Sequence, residues 1–302
     1  MAADLVSDHL PVWVFHYYGL VSGRKTTDMS FSNAIPANLL PTRSIIVCST
    51  GRSGSTLLCS TLSGLNCAGD PKEYFLPKQL AQNAVDSSAD QLYRYLPQVY
   101  QLGTTPNGVF SVKLHWDHMK SLLQIARTDS ALQGKSDLDI LTLLFPNPCF
   151  VFIRRNNLVK QAISMEIGHQ TGVYAVSKDF GGQLPYQEQK LFFKPLNIYR
   201  YKQGLLRRNA NWISFFNDHD LAFFEVVYEE LVRELAPTIH RILAFSDIEL
   251  PTDGSEITQV TRKQGNQTNE NWFKYYSWLP EGWLARYSDL RSLVRKMIAN
   301  QA

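Results

Sequence analysis

The sequence predicts an α/β fold in which a parallel sheet is flanked by helices. Three observations support this fold class. Short apolar segments rich in β-branched and aromatic residues alternate along the chain with longer segments of helical periodicity. These short segments are apolar at consecutive positions, as in strands that are buried on both faces of a sheet. The first of them, 44–49, runs directly into a glycine-containing turn and then a helical segment.

The strands and helices can be placed in order along the chain. Strands are predicted at 44–49, 109–115, 149–153 and 222–227. Helices are predicted at 56–65, 89–100, 117–128, 156–168, 191–218, 229–244 and 282–299. The prolines between these segments are assigned to loops: Pro77, Pro106, Pro146, Pro148 and Pro185. We therefore predict one domain with helical elaborations over residues 43–302, preceded by an N-terminal extension over residues 1–42.

The composition limits the function. The 302 residues are 44% hydrophobic and 19% charged, as in ordinary globular proteins. A formal net charge of +3 is too small to indicate a nucleic-acid partner. No basic leader and no long apolar run is present, which predicts a cytoplasmic protein without a membrane span. The four cysteines lack metal-ligand spacing, and we expect Cys48 and Cys149 to be buried free thiols.

The turn at 49–56 predicts an anion-binding site. Backbone N–H groups converge in such a strand–turn–helix unit, and the helix dipole adds positive charge. The unit is P-loop-like but lacks the lysine of the nucleotide triphosphatase motif, because Ser55 stands in its place and Arg52 supplies the basic group. No strand ends in an aspartate that could hold magnesium. These differences favour metal-free transfer of a less highly charged group than a phosphoryl group.

A second anion site is predicted where the strand at 149–153 ends. Arg154 and Arg155 lie at its carboxyl end, the usual ligand position in open α/β sheets, and guanidinium groups match phosphate oxygens. Ser164 follows two to three helical turns later, and we expect its hydroxyl to reach the same groove. Two separate anion sites indicate a ligand with phosphates at both ends.

Several blocks of the sequence, taken together, resemble the PAPS-dependent sulfotransferases, in particular the bacterial trehalose 2-sulfotransferase-like group. PAPS is 3′-phosphoadenosine 5′-phosphosulfate, and PAP is its product after loss of the sulfuryl group. The resemblance runs in order from about residue 44 to residue 277. It includes RSGSTLL at 52–58, AGDPKEYF at 68–75, TPNGV at 105–109, KLHW at 113–116, the segment 154–164, QTGVY at 170–174, YEEL at 228–231 and RKQ at 262–264.

The resemblance implies a donor site and a general base. The residues implied to bind the donor are Arg52, Ser53, Gly54, Ser55, Thr56, Arg154, Arg155, Ser164, Arg262 and Lys263. Arg52 is also implied to stabilise the leaving phosphate. Glu73 is implied to take the proton of an acceptor hydroxyl, which is a poor nucleophile until it is deprotonated. The acceptor is implied to be a carbohydrate or a similar small molecule, and the resemblance also allows a homodimer.

His115 is a rival base. Lys113 and His115 lie two residues apart, on one face of the predicted strand. The cytosolic aryl and steroid sulfotransferases use a K-x-H arrangement with histidine as the base. We keep Glu73 as the base and place His115 in the acceptor pocket.

Two other functions stay open at this point. A small-molecule kinase of the P-loop type would need ATP and magnesium. A non-catalytic nucleotide- or glycan-binding relative would bind PAP without turnover. The segment 178–185, which contains two glycines, is predicted to be a mobile loop that covers the acceptor.

Overall fold

The computed structural model describes residues 31, 35–85, 87–174, 190–250, 257 and 267–299, the last of these with side chains to residue 292. Four strands form one parallel sheet in the order β2-β1-β3-β4. Their bounds are Arg43–Ser49 for β1, Val109–His115 for β2, Pro148–Arg154 for β3 and Phe223–Val227 for β4. Chain order and spatial order differ, so β1 and β3 lie at the centre of the sheet.

Helices connect and surround the strands. They are α1 Ser55–Gly64, α2 Pro77–Gln82, α3 Ala89–Gly103, α4 Trp116–Ala126, α5 Asp137–Leu144, α6 Leu158–Thr171, α7 Pro195–Asp218, α8 Tyr228–Arg233, α9 Leu235–Phe245, α10 Gln267–Ser277 and α11 Glu281–Ala299. Short 3₁₀ turns occur at Ala37–Leu39 and Ser130–Leu132. Within the part of the chain that the structure describes, no helix is both long and apolar enough to cross a bilayer.

Both faces of the sheet are buried under helices, which confirms the predicted fold class. One face packs against helices that include α3, α4, α5 and α7, through Ile46, Cys48, Val112, Leu114, Phe150 and Phe152. The other packs against α1 and α9, through Ile45, Val47, Val151, Ile153 and Val226. This two-sided burial explains why the strands are apolar at consecutive positions. Cys48 is buried as expected, but Cys149 is only half-buried because it lies near the amino end of β3.

Some predicted elements were wrong in detail. The helix predicted at 229–244 is two helices, with Glu234 in a non-helical conformation between α8 and α9. Sequence analysis missed α2, α5 and α10. Pro77 begins α2, where its missing N–H is not needed, and Pro148 begins β3. These two prolines therefore start elements and do not lie in loops.

The part of the N-terminal extension that the structure describes packs against the main core. Ile35 is buried, and the Phe31 ring meets the Tyr93 ring edge-on with centroids 5.7 Å apart. The domain boundary at residue 42 stays a prediction.

Candidate active site

The turn after β1 has the backbone geometry expected of an anion-binding turn. Arg52 and Gly54 have positive φ angles of 61° and 98°, and α1 begins at Ser55. The N–H of Ser53 donates to the carbonyl of Thr50 over 3.3 Å, which closes the turn. The Tyr228 ring occupies the space that a Cβ atom on Gly54 would need. A glycine is therefore required at position 54 both for its φ angle and for its missing side chain.

Side chains on helices α6 and α7 donate hydrogen bonds to the turn and fix its position. The Gln161 side chain on α6 donates to the Thr50 hydroxyl over 3.1 Å and to the Gly51 carbonyl over 2.7 Å. The Trp212 indole on α7 donates to the Ser49 carbonyl over 3.2 Å. Both side chains are fully buried, so the position of the turn is determined by the core.

Arg52 extends from the turn to the carboxyl half of α6. Its Nε donates to the Ser164 hydroxyl over 2.9 Å, and its Nη1 donates to the Tyr174 carbonyl. The structure thus brings Ser164 to the first predicted anion site, next to Arg52. The Ser53 hydroxyl is buried, and no hydrogen-bond partner for it lies among the described residues. A buried hydroxyl of this kind fits a site that is completed by a ligand.

The two candidate bases, Glu73 and His115, meet beside this turn together with Lys113. The Glu73 segment runs along β2, where the N–H of Lys113 donates to the Lys72 carbonyl over 3.0 Å. Glu73 Oε1 lies 2.6 Å from Lys113 Nζ and 3.6 Å from His115 Nε2. On the other side of the ring, His115 Nδ1 lies 2.9 Å from the Ser49 hydroxyl. This contact chain joins Glu73 to Ser49, the residue at which the predicted anion-binding turn starts.

The local charges keep Glu73 ionised. Burial alone would raise the pKa of its carboxyl, but the contacts with His115 and Lys113 lower that pKa well below the ordinary value. The Lys113 side chain is only 10% exposed, so its partner carboxylate compensates a charge that water hardly reaches. One turn along α4, burial and the neighbouring His115 lower the pKa of His118 to about 4, which makes this imidazole neutral near neutral pH.

The two arginines at the end of β3 have different surroundings. Arg154 forms a bidentate ion pair with the Glu225 carboxylate. Its Nε donates to Oε1 over 2.6 Å and its Nη2 donates to Oε2 over 3.2 Å. The Arg155 guanidinium lies 4.7 Å from the centroid of the Tyr228 ring. Its Nε is buried without a hydrogen-bond partner among the described residues, since Glu229 Oε1 is 3.6 Å away. Arg155 is therefore better placed than Arg154 to accept a ligand anion.

The amino end of α6 already has a carboxylate partner. Glu229 accepts hydrogen bonds from the backbone N–H groups of Asn156 and Asn157, over 3.0 and 3.2 Å. This side chain therefore stabilises the start of α6 in the way that a bound anion could. Arg262, Lys263 and the predicted covering loop at 178–185 lie outside the described residues.

A cavity of about 420 Å³ opens beside the turn. Thr50, Gly51 and His115 form the side next to the acid–base cluster, and α4 and α7 contribute other walls. Its volume is in the range of small-molecule sites. The cavity therefore provides space for an acceptor close to both the turn and His115.

Sequence analysis missed two supporting residues. Gln161 and Tyr228 position the turn, but the candidate list did not contain them. Gln161 could have been found from the sequence, because it is a glutamine on the inner face of a helix and a buried polar side chain needs hydrogen-bond partners. The packing of Tyr228 against Gly54 joins residues far apart in the chain, and no local pattern indicates it.

Known proteins resemble this chain over most of its length. The sequence profile of the Stf0 sulfotransferase family matches residues 44–278. The chain is 25% identical over 265 residues to the trehalose 2-sulfotransferase of Mycobacterium tuberculosis, which covers 78% of this chain and 94% of that protein. It is also 25% identical over 257 residues to the trehalose 2-sulfotransferase of Mycolicibacterium smegmatis, covering 76% and 93%.

Two solved structures align with the chain at 16% identity. The sulfotransferase domain from the curacin biosynthetic pathway aligns with a TM-score of 0.39, covering 76% of this chain and 82% of that one. The sulfotransferase domain of the Synechococcus olefin synthase aligns with a TM-score of 0.37, covering 83% and 96%. The family profile spans the turn, the acid–base cluster and the arginine pair. The chain therefore belongs to the Stf0 sulfotransferase family.

Proposed function

We propose that this sulfotransferase moves a sulfuryl group from PAPS to a hydroxyl of a carbohydrate acceptor, with Glu73 as the general base. The observation that carries the proposal is the contact chain from Glu73 through His115 to Ser49, which joins a carboxylate to the start of the anion-binding turn. The names of the two mycobacterial relatives support a carbohydrate acceptor.

The residues present fit a donor with two anionic ends. The turn offers backbone N–H groups, the buried Ser53 hydroxyl and the Arg52 guanidinium for the phosphosulfate end. Arg155, with its buried Nε, is the candidate for the 3′-phosphate end. When bound, PAPS supplies the sulfuryl group and a phosphate leaving group. Arg52 then stabilises the negative charge that develops on that phosphate.

The acceptor oxygen forms a bond to sulfur while the bond from sulfur to the phosphate oxygen breaks, and the acceptor proton passes to Glu73. The low pKa of Glu73 means that it is ionised and ready to accept the proton near neutral pH. A carboxylate of such low pKa is a weak base. Any weakening of the 2.6 Å contact between Lys113 Nζ and Glu73 on donor binding would raise the basicity of Glu73.

The proposal is tested by incubating the protein with radiolabelled PAPS and carbohydrate acceptors that include trehalose, in the presence of EDTA. We expect label to move from PAPS to an acceptor, with PAP as the other product. Transfer of phosphate from ATP that requires magnesium, without transfer from PAPS, would support the kinase function instead. PAP binding with no labelled acceptor would contradict the proposed acceptor class.

Arg52→Ala is expected to weaken PAP binding by about 1–3 kcal/mol, because it removes charge-assisted hydrogen bonds. The substitution keeps a Cβ atom, so the backbone at φ 61° is no less favourable than before. Calorimetric titration with PAP measures the loss. Arg241→Ala is a matched control, since this arginine lies on α9 with its side chain 56% exposed. Equal affinity of the wild-type and Arg52→Ala proteins would remove Arg52 from the donor site.

A further inference from the structure

Helix α6 carries a carboxylate that is completely buried against α7. The Glu166 side chain has no exposed surface. Gln170 Nε2 donates to its Oε1 over 2.6 Å, and Asn197 Nδ2 on α7 donates to its Oε2 over 3.2 Å. Among the described residues, no cationic side chain forms an ion pair with it. A buried carboxylate with neutral partners is costly, and a glutamine would fill the same space without the charge. The charge of Glu166 therefore serves a purpose other than stability.

The backbone of Phe192 fixes the orientation of the Gln170 amide. Gln170 Nε2 donates to the Phe192 carbonyl over 2.8 Å, and Gln170 Oε1 accepts from the Phe192 N–H over 2.9 Å. A carbonyl only accepts and an N–H only donates, so these two contacts assign the nitrogen and the oxygen of the Gln170 amide. Glu166 Oε1 therefore always faces a donor.

The carboxylate in turn fixes the orientation of the Asn197 amide. A carboxylate has no proton to donate, so the Asn197 nitrogen must face Glu166 Oε2 and the Asn197 oxygen must point away from it. Asn197 lines the cavity beside the turn. In the part of the chain that the structure describes, no group donates to Asn197 Oδ1. This oxygen is therefore available to a ligand in the cavity.

We infer that Asn197 binds the sugar by accepting a hydrogen bond from a hydroxyl other than the one that receives the sulfuryl group, and that Glu166 is the residue that positions the Asn197 amide. This inference rests on the proposed function and specifies that its substrate carries at least two hydroxyls. Arg207 also lines the cavity, and a guanidinium donates hydrogen bonds but cannot accept them. A hydroxyl that accepts from Arg207 needs an acceptor for its own proton, and Asn197 Oδ1 supplies one.

The test titrates trehalose, glucose and maltose by calorimetry into the protein saturated with PAP, and offers each sugar as a substrate with labelled PAPS. Variants are compared with the sugar that binds the wild-type protein most tightly. Glu166→Gln is expected to weaken binding of this sugar and to raise its KM about tenfold, while kcat and PAP affinity stay unchanged. Because Gln170 still donates to position 166, the new glutamine turns its nitrogen towards Asn197. Asn197 then turns its own nitrogen towards the cavity, where the sugar hydroxyl meets a donor.

Adding Asn197→Asp to Glu166→Gln is expected to restore sugar affinity to within about threefold of the wild-type value. The new glutamine donates to one oxygen of the new aspartate, and the other oxygen of that aspartate faces the cavity as an acceptor. Glu249→Gln is the matched control, because it removes a carboxylate from an exposed position. We expect its sugar affinity to equal that of the wild-type protein.

Unchanged sugar affinity in Glu166→Gln would overturn the inference. A loss that the double variant does not reduce would also overturn it, because Glu166 would then act through its packing or charge and not through the direction of the Asn197 amide. Failure of all three sugars to bind the wild-type protein would overturn it as well, since the inferred contact needs a sugar hydroxyl. Sugar binding with the expected pattern among the variants, but without transfer of label, would count against the proposed function alone.

Discussion

Glu73→Gln is expected to lower turnover about 100-fold or more while PAP binding stays near the wild-type value. Glutamine keeps the size of the side chain but cannot accept the acceptor proton. It also leaves Lys113 Nζ without the carboxylate that now lies 2.6 Å away. Single-turnover kinetics with labelled PAPS give the loss in rate, and calorimetry with PAP gives the affinity.

His115→Asn is the companion variant. If Glu73 is the base, this variant keeps a larger part of its turnover than Glu73→Gln does. Near-normal turnover in Glu73→Gln, together with a strong loss in His115→Asn, would assign the base to His115.

The pH profile separates the two bases independently. A base must be deprotonated, so the rate rises with pH through its pKa and is level above it. Because the pKa of Glu73 is well below its ordinary value, kcat/KM is expected to be level from neutral pH down into the acidic range. A kcat/KM that falls as the pH is lowered from neutral into the weakly acidic range would contradict Glu73 as the base.

Gly54→Ala is expected to destabilise the protein by about 1–3 kcal/mol and to lower PAP affinity about tenfold or more. Alanine is strained at φ 98°, and its Cβ would overlap the Tyr228 ring. The turn must then move, and its N–H groups no longer converge on the ligand. Thermal unfolding and calorimetry with PAP measure the two effects.

Gly51→Ala is the matched control in the same turn. A Cβ atom there would lie 3.6 Å from the Met165 methyl carbon, an ordinary contact. We expect its stability to be close to wild type. Equal destabilisation by the two alanines would show that the ring contact and the φ angle at Gly54 are unimportant.

The strands and the turn could be predicted because the sequence signals for them lie within a few consecutive residues. Consecutive apolar residues marked β1, and Gly51 and Gly54 marked the turn. The six residues of α2 are too few to show a helical period. The break at Glu234 was missed because apolar periodicity continues across it.

Part of the site was predicted because it depends only on residues that are neighbours in the chain. Lys113 and His115 share a face because strand side chains alternate, and this needs only the local sequence. The approach of Glu73 depends on the bridge between Lys72 and Val112, forty residues apart in the chain. The pairing of Arg154 with Glu225 likewise depends on β3 lying beside β4. Sequence patterns do not determine which strands become neighbours.

The position of Tyr228 has a consequence for the geometry of the proposed donor site. One aromatic ring contacts Gly54 on the turn and also lies 4.7 Å from the Arg155 guanidinium. The Tyr228 ring therefore packs between the turn and the Arg155 guanidinium. A flexible side chain in its place would let the distance between the turn and Arg155 vary, so a rigid ring there would favour one separation of the two anionic groups of the proposed donor.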